Sequence, residues 1–181
     1  MPEQITDEST DLAEIPTGNV MIVHTLINAY LMPDGVSDST TTDDDDEVQT
    51  FHADPFWNDA SVYWQFEPVP GNAGAYYIKS QPHNHYIGLR GGAAKADVNV
   101  ILRLKDANAS QWVPTPIPRM PDIVGQPVVR ALRLHGTNFA MATEANLNRD
   151  ANLKLDRAWD GVFTPYHAFT LIPASSVVTT P

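Results

Sequence analysis

One spacing recurs three times along this chain. Asn19-Val-Met-Ile22 is followed eight residues on by Tyr30-Leu31, Tyr76-Tyr-Ile78 by Tyr86-Ile87, and Val128-Val-Arg-Ala131 by Phe139-Ala140. Each stretch then closes on an aromatic with a proline four positions later: Trp64 and Pro68, Trp112 and Pro116, Phe169 and Pro173. The aromatic-proline interval alone says little, since Phe51 with Pro55 and Phe66 with Pro70 share it. The fixed order of opening pair and closing aromatic is what marks one structural unit used three times.

Each opening reads as two short extended runs joined by a polar turn, at Thr25-Leu-Ile-Asn28, Gln81-Pro-His-Asn84 and His135-Gly-Thr-Asn138. Tyr, Val, Ile and Phe suit a half-buried pleated surface, whereas Pro, Gly and Asn end strands and turn the chain. The 15 prolines are spread too widely for long helices, because each removes a backbone donor and clashes with the preceding turn. With 181 residues, 43% of them apolar, the chain can bury a core of its own. The expectation is an all-β protein.

Three units imply three boundaries. Residues 1–16 form an acidic tail, with a short helix around Ser9 to Glu14 ending before Pro16; the units cover about 17–70, 75–118 and 126–173; residues 174–181 form a frayed C-terminal tail. Pro70-Gly-Asn-Ala-Gly74 and Pro114-Thr-Pro-Ile-Pro-Arg-Met-Pro121 read as linkers, the second extended and stiff, outside regular pairing.

Charge narrows the partners. Asp and Glu number 22 against 11 Lys and Arg, a formal charge of −11, which speaks against nucleic acid or an anionic membrane as a partner. Cysteine is absent, so no disulfide staples the fold and a reducing compartment is expected. Met1 to Glu14 has neither the basic region nor the apolar core of a secretory signal, and no run approaches the roughly 20 apolar residues of a membrane span. The expectation is a soluble, cytoplasmic protein. The run Asp43-Asp-Asp-Asp-Glu47 reads as a solvated loop; its carboxylates suit calcium, but it lacks the alternation and the glycine of a known calcium loop.

A four-stranded unit of this size cannot bury its own apolar face, so the three must close on one another. Gly74-Ala-Tyr-Tyr-Ile-Lys-Ser80, Tyr86-Ile-Gly-Leu89, Val98-Asn-Val-Ile-Leu102 and Ala109-Ser-Gln-Trp112 together resemble one repeat of the ricin B-type β-trefoil lectins, of the cysteine-free fungal kind. Unit one closes on Val62-Tyr-Trp-Gln-Phe66, with the family's Gln-x-Trp order disturbed, and unit three on His167-Ala-Phe169, with neither Gln nor Trp. The resemblance spans nearly all of residues 17–173 and implies a β-trefoil of three pseudo-symmetric four-stranded units.

Trp64, Trp112 and Phe169, repeated once per unit, are explained by packing as core plugs. Binding residues should instead break the symmetry. Unit one carries Asp54-Pro-Phe-Trp-Asn-Asp59 and unit three Asp156-Arg-Ala-Trp-Asp-Gly161 before the closing aromatic, where unit two has only Lys105-Asp-Ala-Asn108. Trp57 with Asn58 and Asp59, and Trp159 with Asp160, combine an aromatic face for the C–H surface of a sugar with groups for its hydroxyls; otherwise the two indoles cover an end of the barrel. In the family the sugar pocket lies in this part of a repeat. His83-Asn-His85 invites a zinc reading, but no third ligand accompanies it and the triplet falls in a turn, so no metal or cofactor is assigned. Nor is there a Cys, a Gly-x-Ser-x-Gly elbow or an isolated carboxylate pair to suggest an enzyme. The resemblance implies a non-enzymatic lectin for glycans or glycoproteins, strengthened by multivalency and open to homodimerisation. The alternative is a mycocypin-like protease inhibitor acting through long loops such as Met32 to Glu47 or Pro114 to Pro121.

Overall fold

The computed structural model describes residues 14–33, 48–51, 60–103, 109–118, 120–143, 151–157 and 164–174. Their strands fall into three sets of four: β1 (Val20–His24), β2 (Ala29–Pro33), β3 (Val48–Phe51) and β4 (Tyr63–Pro68); β5 (Tyr76–Ser80), β6 (Tyr86–Leu89), β7 (Val100–Arg103) and β8 (Trp112–Pro116); β9 (Val128–Leu134), β10 (Phe139–Thr143), β11 (Ala151–Arg157) and β12 (Phe169–Pro173). The first two strands of each set are the opening pair expected from the sequence, and the fourth starts at or one residue before the closing aromatic.

Pairing closes a ring. β1 pairs with β4, β4 with β5, β5 with β8, β8 with β9, β9 with β12, and β12 returns to β1, every pair antiparallel. Closure gives each of those six strands a paired neighbour on both sides. The other six form the hairpins β2–β3, β6–β7 and β10–β11. These are tied together by β3 pairing with β11 and by a bridge between Asn99 and Lys154. A six-stranded barrel with three hairpins joined to one another is a β-trefoil.

The ring explains the burial. Val20 and Ile22 of β1 face a central cluster with Trp64, Trp112, Phe169, Leu31, Ile87 and Leu132, while Met21 and Val23 face a smaller one with Val62, so both faces of β1 are covered. The three closing aromatics are wholly buried, as their packing role requires. Two also use a polar handle at equivalent places: Trp64 Nε1 donates to the Leu31 carbonyl at 3.0 Å and Trp112 Nε1 to the Ile87 carbonyl at 3.2 Å. Unit three has Phe169, which has no such donor; the His24 ring meets it edge-on at 5.4 Å between centroids. Asn28 and Asn84 end the first two opening turns with φ of 50° and 56°, a left-handed conformation that asparagine tolerates; in unit three Gly136 takes it, with φ of 71°.

One expected linker is a strand. Pro114, Thr115 and Pro116 pair with Leu132, Ala131 and Arg130 of β9, so the segment from Pro114 to Pro121 begins inside regular pairing. Prolines two residues apart place their missing donors on the same edge, and β8 pairs with β5 only at Trp112, so past that point the second edge needs no donor. Pro114, Thr115 and Pro116 of that candidate inhibitory loop are therefore barrel wall. The C-terminal tail also starts later than expected, since Ala174 N–H donates to the Asn19 carbonyl at 2.9 Å. At the other end Ile15 packs against the core, while the helix expected around Ser9 to Glu14 lies outside the described residues except for Glu14, which is not helical.

Candidate functional site

The residues nominated for sugar contact, Trp57, Asn58, Asp59, Trp159 and Asp160, lie outside the described residues, as does the acidic run 43–47. The elements flanking them are described. Segment 52–59 connects β3 to the 3-10 turn Ala60–Val62, and segment 158–163 leads from β11 to Thr164 and the 3-10 turn Pro165–His167. β3 and β11 run antiparallel, with Thr50 opposite Ala151. The chain therefore leaves Phe51 and Arg157 in opposite directions along the pair, which gives the two Trp-containing segments separate starting points.

Beside the second starting point the surface is concave. A groove of about 460 Å³ is lined by Ala96, the turn Gly136, Thr137 and Asn138, the half-buried Phe139, and Arg157. It adjoins, through Thr137, a second groove of about 470 Å³ whose polar walls include Asn72, Ser110, Gln111 and His135. The turn between them is braced internally: Thr137 Oγ1 donates to the Leu134 carbonyl at 2.9 Å and accepts from Phe139 N–H at 3.1 Å. Across the second groove, Asn72 Nδ2 donates to Gln111 Oε1 at 2.8 Å, and His135 N–H donates to the Gln111 carbonyl at 2.9 Å. Five stretches of chain, at 72, 89–96, 109–111, 134–139 and 157, thus line one trough of two adjoining grooves, with amide, hydroxyl, imidazole and guanidinium groups and an aromatic ring at one end. Sugar hydroxyls, which donate and accept together, are met by such mixed walls.

A buried polar cluster underlies unit three. His24 Nε2 lies 3.1 Å from the Tyr166 carbonyl, and a carbonyl only accepts, so Nε2 carries the proton; Thr143 Oγ1 approaches the same nitrogen at 3.3 Å. His167 is 1% exposed. Its Nδ1 accepts the Thr164 N–H at 3.0 Å, which places the proton on Nε2, 3.3 Å from Oδ2 of Asp156. Thr164, His167 and Asp156 thus stand in the order of nucleophile, base and acid. The Thr164 hydroxyl also lies 3.0 Å from Nδ1, so it competes with its own backbone N–H for one lone pair that a catalytic base would need for the hydroxyl proton alone. Burial holds both imidazoles below their ordinary range; the Tyr166 carbonyl opposes this at His24, and the Asp156 carboxylate opposes it at His167.

That depression has a consequence for stability. A basic group whose pKa is lowered by folding binds more protons in the unfolded chain, so its penalty is absent above the ordinary value of 6.5 and grows as pH falls through the folded values. The thermal midpoint should therefore drop between about pH 7.5 and pH 5, and His24→Phe should flatten that slope. An unchanged slope in the variant would remove His24 from the account.

His83 and His85 sit in the turn between β5 and β6, where the His85 Nδ1 is 2.7 Å from the His83 carbonyl. That contact commits one ring to its own turn, and no group of three or more His, Asp and Glu side chains suited to a metal occurs among the described residues. Among them, too, no helix is long and apolar enough to cross a membrane. The sequence did not nominate the trough or the histidine cluster. A trace of the second was visible, since His167 stands two residues before its closing aromatic, where unit two has Ser110 and unit one Val62.

Solved structures place the chain among β-trefoil proteins. A designed threefold-symmetric protein, ThreeFoil, superposes with a TM-score of 0.66 at 14% identity, over 86% of this chain and 98% of its own. The ricin B-like lectin of Macrolepiota procera, in complex with lactose, gives 0.64 at 11% identity over 88% and 99%. The Polyporus squamosus lectin, bound to the epitope Neu5Aca2-6Galb1-4GlcNAc, gives 0.63 at 15% identity over 88% of this chain and 50% of that one. Identities this low establish the shared fold. No protein-family model matches the chain, and no curated protein matches it in sequence.

Proposed function

We infer that this protein is a carbohydrate-binding lectin without enzymatic activity, acting in the cytoplasm on glycans or glycoproteins. The observation that carries the reading is the trough at unit three. Phe139, Asn138 and Arg157 line it, and the segment containing Trp159 and Asp160 begins at the residue after Arg157. The fold supports the reading, since two of the β-trefoil structures it resembles are lectins described with bound saccharides. Trp57, Asn58 and Asp59 would form a second, separate site in unit one, and two weak sites on one protein gain strength by multivalency, as would a homodimer.

A glycan array, with lactose and α2,6-sialylated lactosamine among its probes, tests this directly. Selective binding is expected, and Trp159→Ala should reduce it by about tenfold or more, since loss of an aromatic anchor in a site is worth 1–3 kcal/mol or more. The thermal midpoint of that variant should stay within a few degrees of the parent; a large drop would assign Trp159 to packing instead. A blank array on folded protein would overturn the lectin reading.

The alternative, a protease inhibitor, has one observation in its favour. Ile123 and Val124 are exposed at a turn closed by Gln126 N–H on the Ile123 carbonyl at 2.9 Å, beyond the end of β8. Inhibition of cysteine or serine proteases, lost in Val124→Asp, would favour it.

A further inference from the structure

Charge is divided sharply along this chain. Residues 1–59 hold 14 Asp and Glu and no Lys or Arg, whereas residues 60–181 hold the other 8 acids and all 11 bases. The formal charge of −11 is therefore −14 in the first stretch and +3 in the second. Unit two carries the excess, with Lys79, Arg90, Lys95, Arg103 and Lys105 against Asp97 and Asp106. A ligand meets the local field rather than the sum, because exposed charges more than about 10 Å apart are largely screened at physiological salt.

The trough lies in the basic part. Its two long walls are the seam between units two and three, with Leu89, Gly92, Ala94 and Ala96 on one side and the turn at 134–139 with Arg157 on the other. Two exposed bases interrupt the first wall: Arg90 directly after Leu89, and Lys95 between Ala94 and Ala96. Between them, Gly91 to Ala94 project nothing larger than a methyl group. Gly91 and Gly92 both take left-handed backbone, with φ of 69° and 71°, where a larger residue would be strained. That rim therefore presents cationic side chains over a low wall. Arg157, across the trough, carries a planar guanidinium of the shape that grips a carboxylate or sulfate through two parallel hydrogen bonds. Two carboxylates stand against these three bases. Asp156 is engaged, its Oδ2 3.3 Å from His167 Nε2 and its Oδ1 accepting the Arg157 N–H at 2.7 Å, and Asp97 is exposed after Ala96.

We propose that the ligand of this trough is an anionic saccharide, its carboxylate or sulfate held at Arg157 within the field of Arg90 and Lys95, and its hydroxyls met by the polar groups of the seam. The inference rests on the lectin reading and narrows it from glycans at large to acidic ones. The first 59 residues repel the same anion, so charge selects the seam as well as the sugar.

The test compares N-acetyllactosamine with its α2,6-sialylated and its sulfated forms, each titrated into the full chain. In about 20 mM salt the anionic forms should bind about tenfold more tightly than the neutral one, a preference falling to about threefold or less near 500 mM. Whichever anionic form binds more tightly identifies the group as carboxylate or sulfate. Arg157→Gln and Lys95→Gln should each cut the preference to about threefold, and Arg157→Lys should keep more of it than Arg157→Gln. Asp97→Asn retains a residue that tolerates the φ of 63° found there, and should raise the preference about twofold. Amide NMR shifts caused by the better anionic sugar should centre on Ala94, Ser110, His135 and Thr137. Equal affinity for all three sugars overturns the inference and leaves the lectin reading intact. A preference unchanged in Arg157→Gln, or shifts centred elsewhere, also overturns it, as does a DNA oligonucleotide that binds as tightly as the sulfated sugar. Failure of every sugar to bind folded protein sinks the lectin reading itself, and the inference with it.

Discussion

Trp112→Ala is expected to lower the unfolding free energy by about 3–5 kcal/mol, the range for removing a fully buried large aromatic. The ring is wholly buried in the central cluster, so the surrounding barrel cannot collapse into the space without moving strands that are paired in the ring. Its Nε1 also satisfies the Ile87 carbonyl, and alanine leaves that acceptor without the indole donor. Against a typical total of 5–15 kcal/mol, the loss leaves a protein close to its unfolding threshold at physiological temperature. Trp112→Phe should cost much less, about 1–3 kcal/mol, because the donor is lost while most of the packing is kept. Unit three already carries that exchange in Phe169. Urea denaturation followed by circular dichroism gives both values, and a loss below 1 kcal/mol in Trp112→Ala would show that the aromatic does not plug the barrel.

Asp122→Ala should be comparably damaging, at about 3–5 kcal/mol, for an electrostatic reason. Arg130 is 2% exposed, and its guanidinium meets the Asp122 carboxylate through two parallel contacts, Nη1 to Oδ1 at 2.6 Å and Nη2 to Oδ2 at 2.7 Å. Nη1 also donates to the Val129 carbonyl. Removing the carboxylate leaves a buried cation without its counter-charge. Adding Arg130→Leu to Asp122→Ala should restore part of the loss, since two apolar groups carry no desolvation penalty. Equal losses in the single and double variants would mean that the guanidinium acts by packing alone. Because the pair ties the connection after β8 to β9, Asp122→Ala should also make the turn at Ile123 to Gln126 more susceptible to limited proteolysis, a change that mass spectrometry of the first cleavage products would locate.

Much of the architecture was legible because it repeats. The three opening pairs fell where alternate apolar residues met polar turns, and the three closing aromatics turned out to be plugs because only the core requires one in each unit. Asn28 and Asn84 marked turns for a reason intrinsic to the residue, its tolerance of left-handed backbone. The errors came where a residue's meaning depends on its neighbours across the sheet. Pro114 and Pro116 read as a break in pairing, yet the ring leaves one edge of β8 without demand for donors beyond Trp112, so they fit in a strand. Of the candidate site, the sequence supplied the segment with Trp159 and Asp160 by its departure from symmetry, but nothing linear joined Asn72, Gln111, His135 and Phe139 into a trough.

The sequence by itself determined the class of fold, since strand period, turn chemistry and a threefold repeat are local properties that each unit states independently. It also determined the acidic, cysteine-free character that restricts the partners. The tertiary structure alone decided which polar residues meet. His24 and Tyr166 are 142 residues apart in the chain and share a hydrogen bond because β12 returns to close the barrel against β1. His167 acquires its two opposed contacts only when β11 and the turn before β12 come together around it. Closure brings β1 and the turn before β12 into one buried environment, and there the distance between two groups, not their separation in sequence, determines their protonation and bonding.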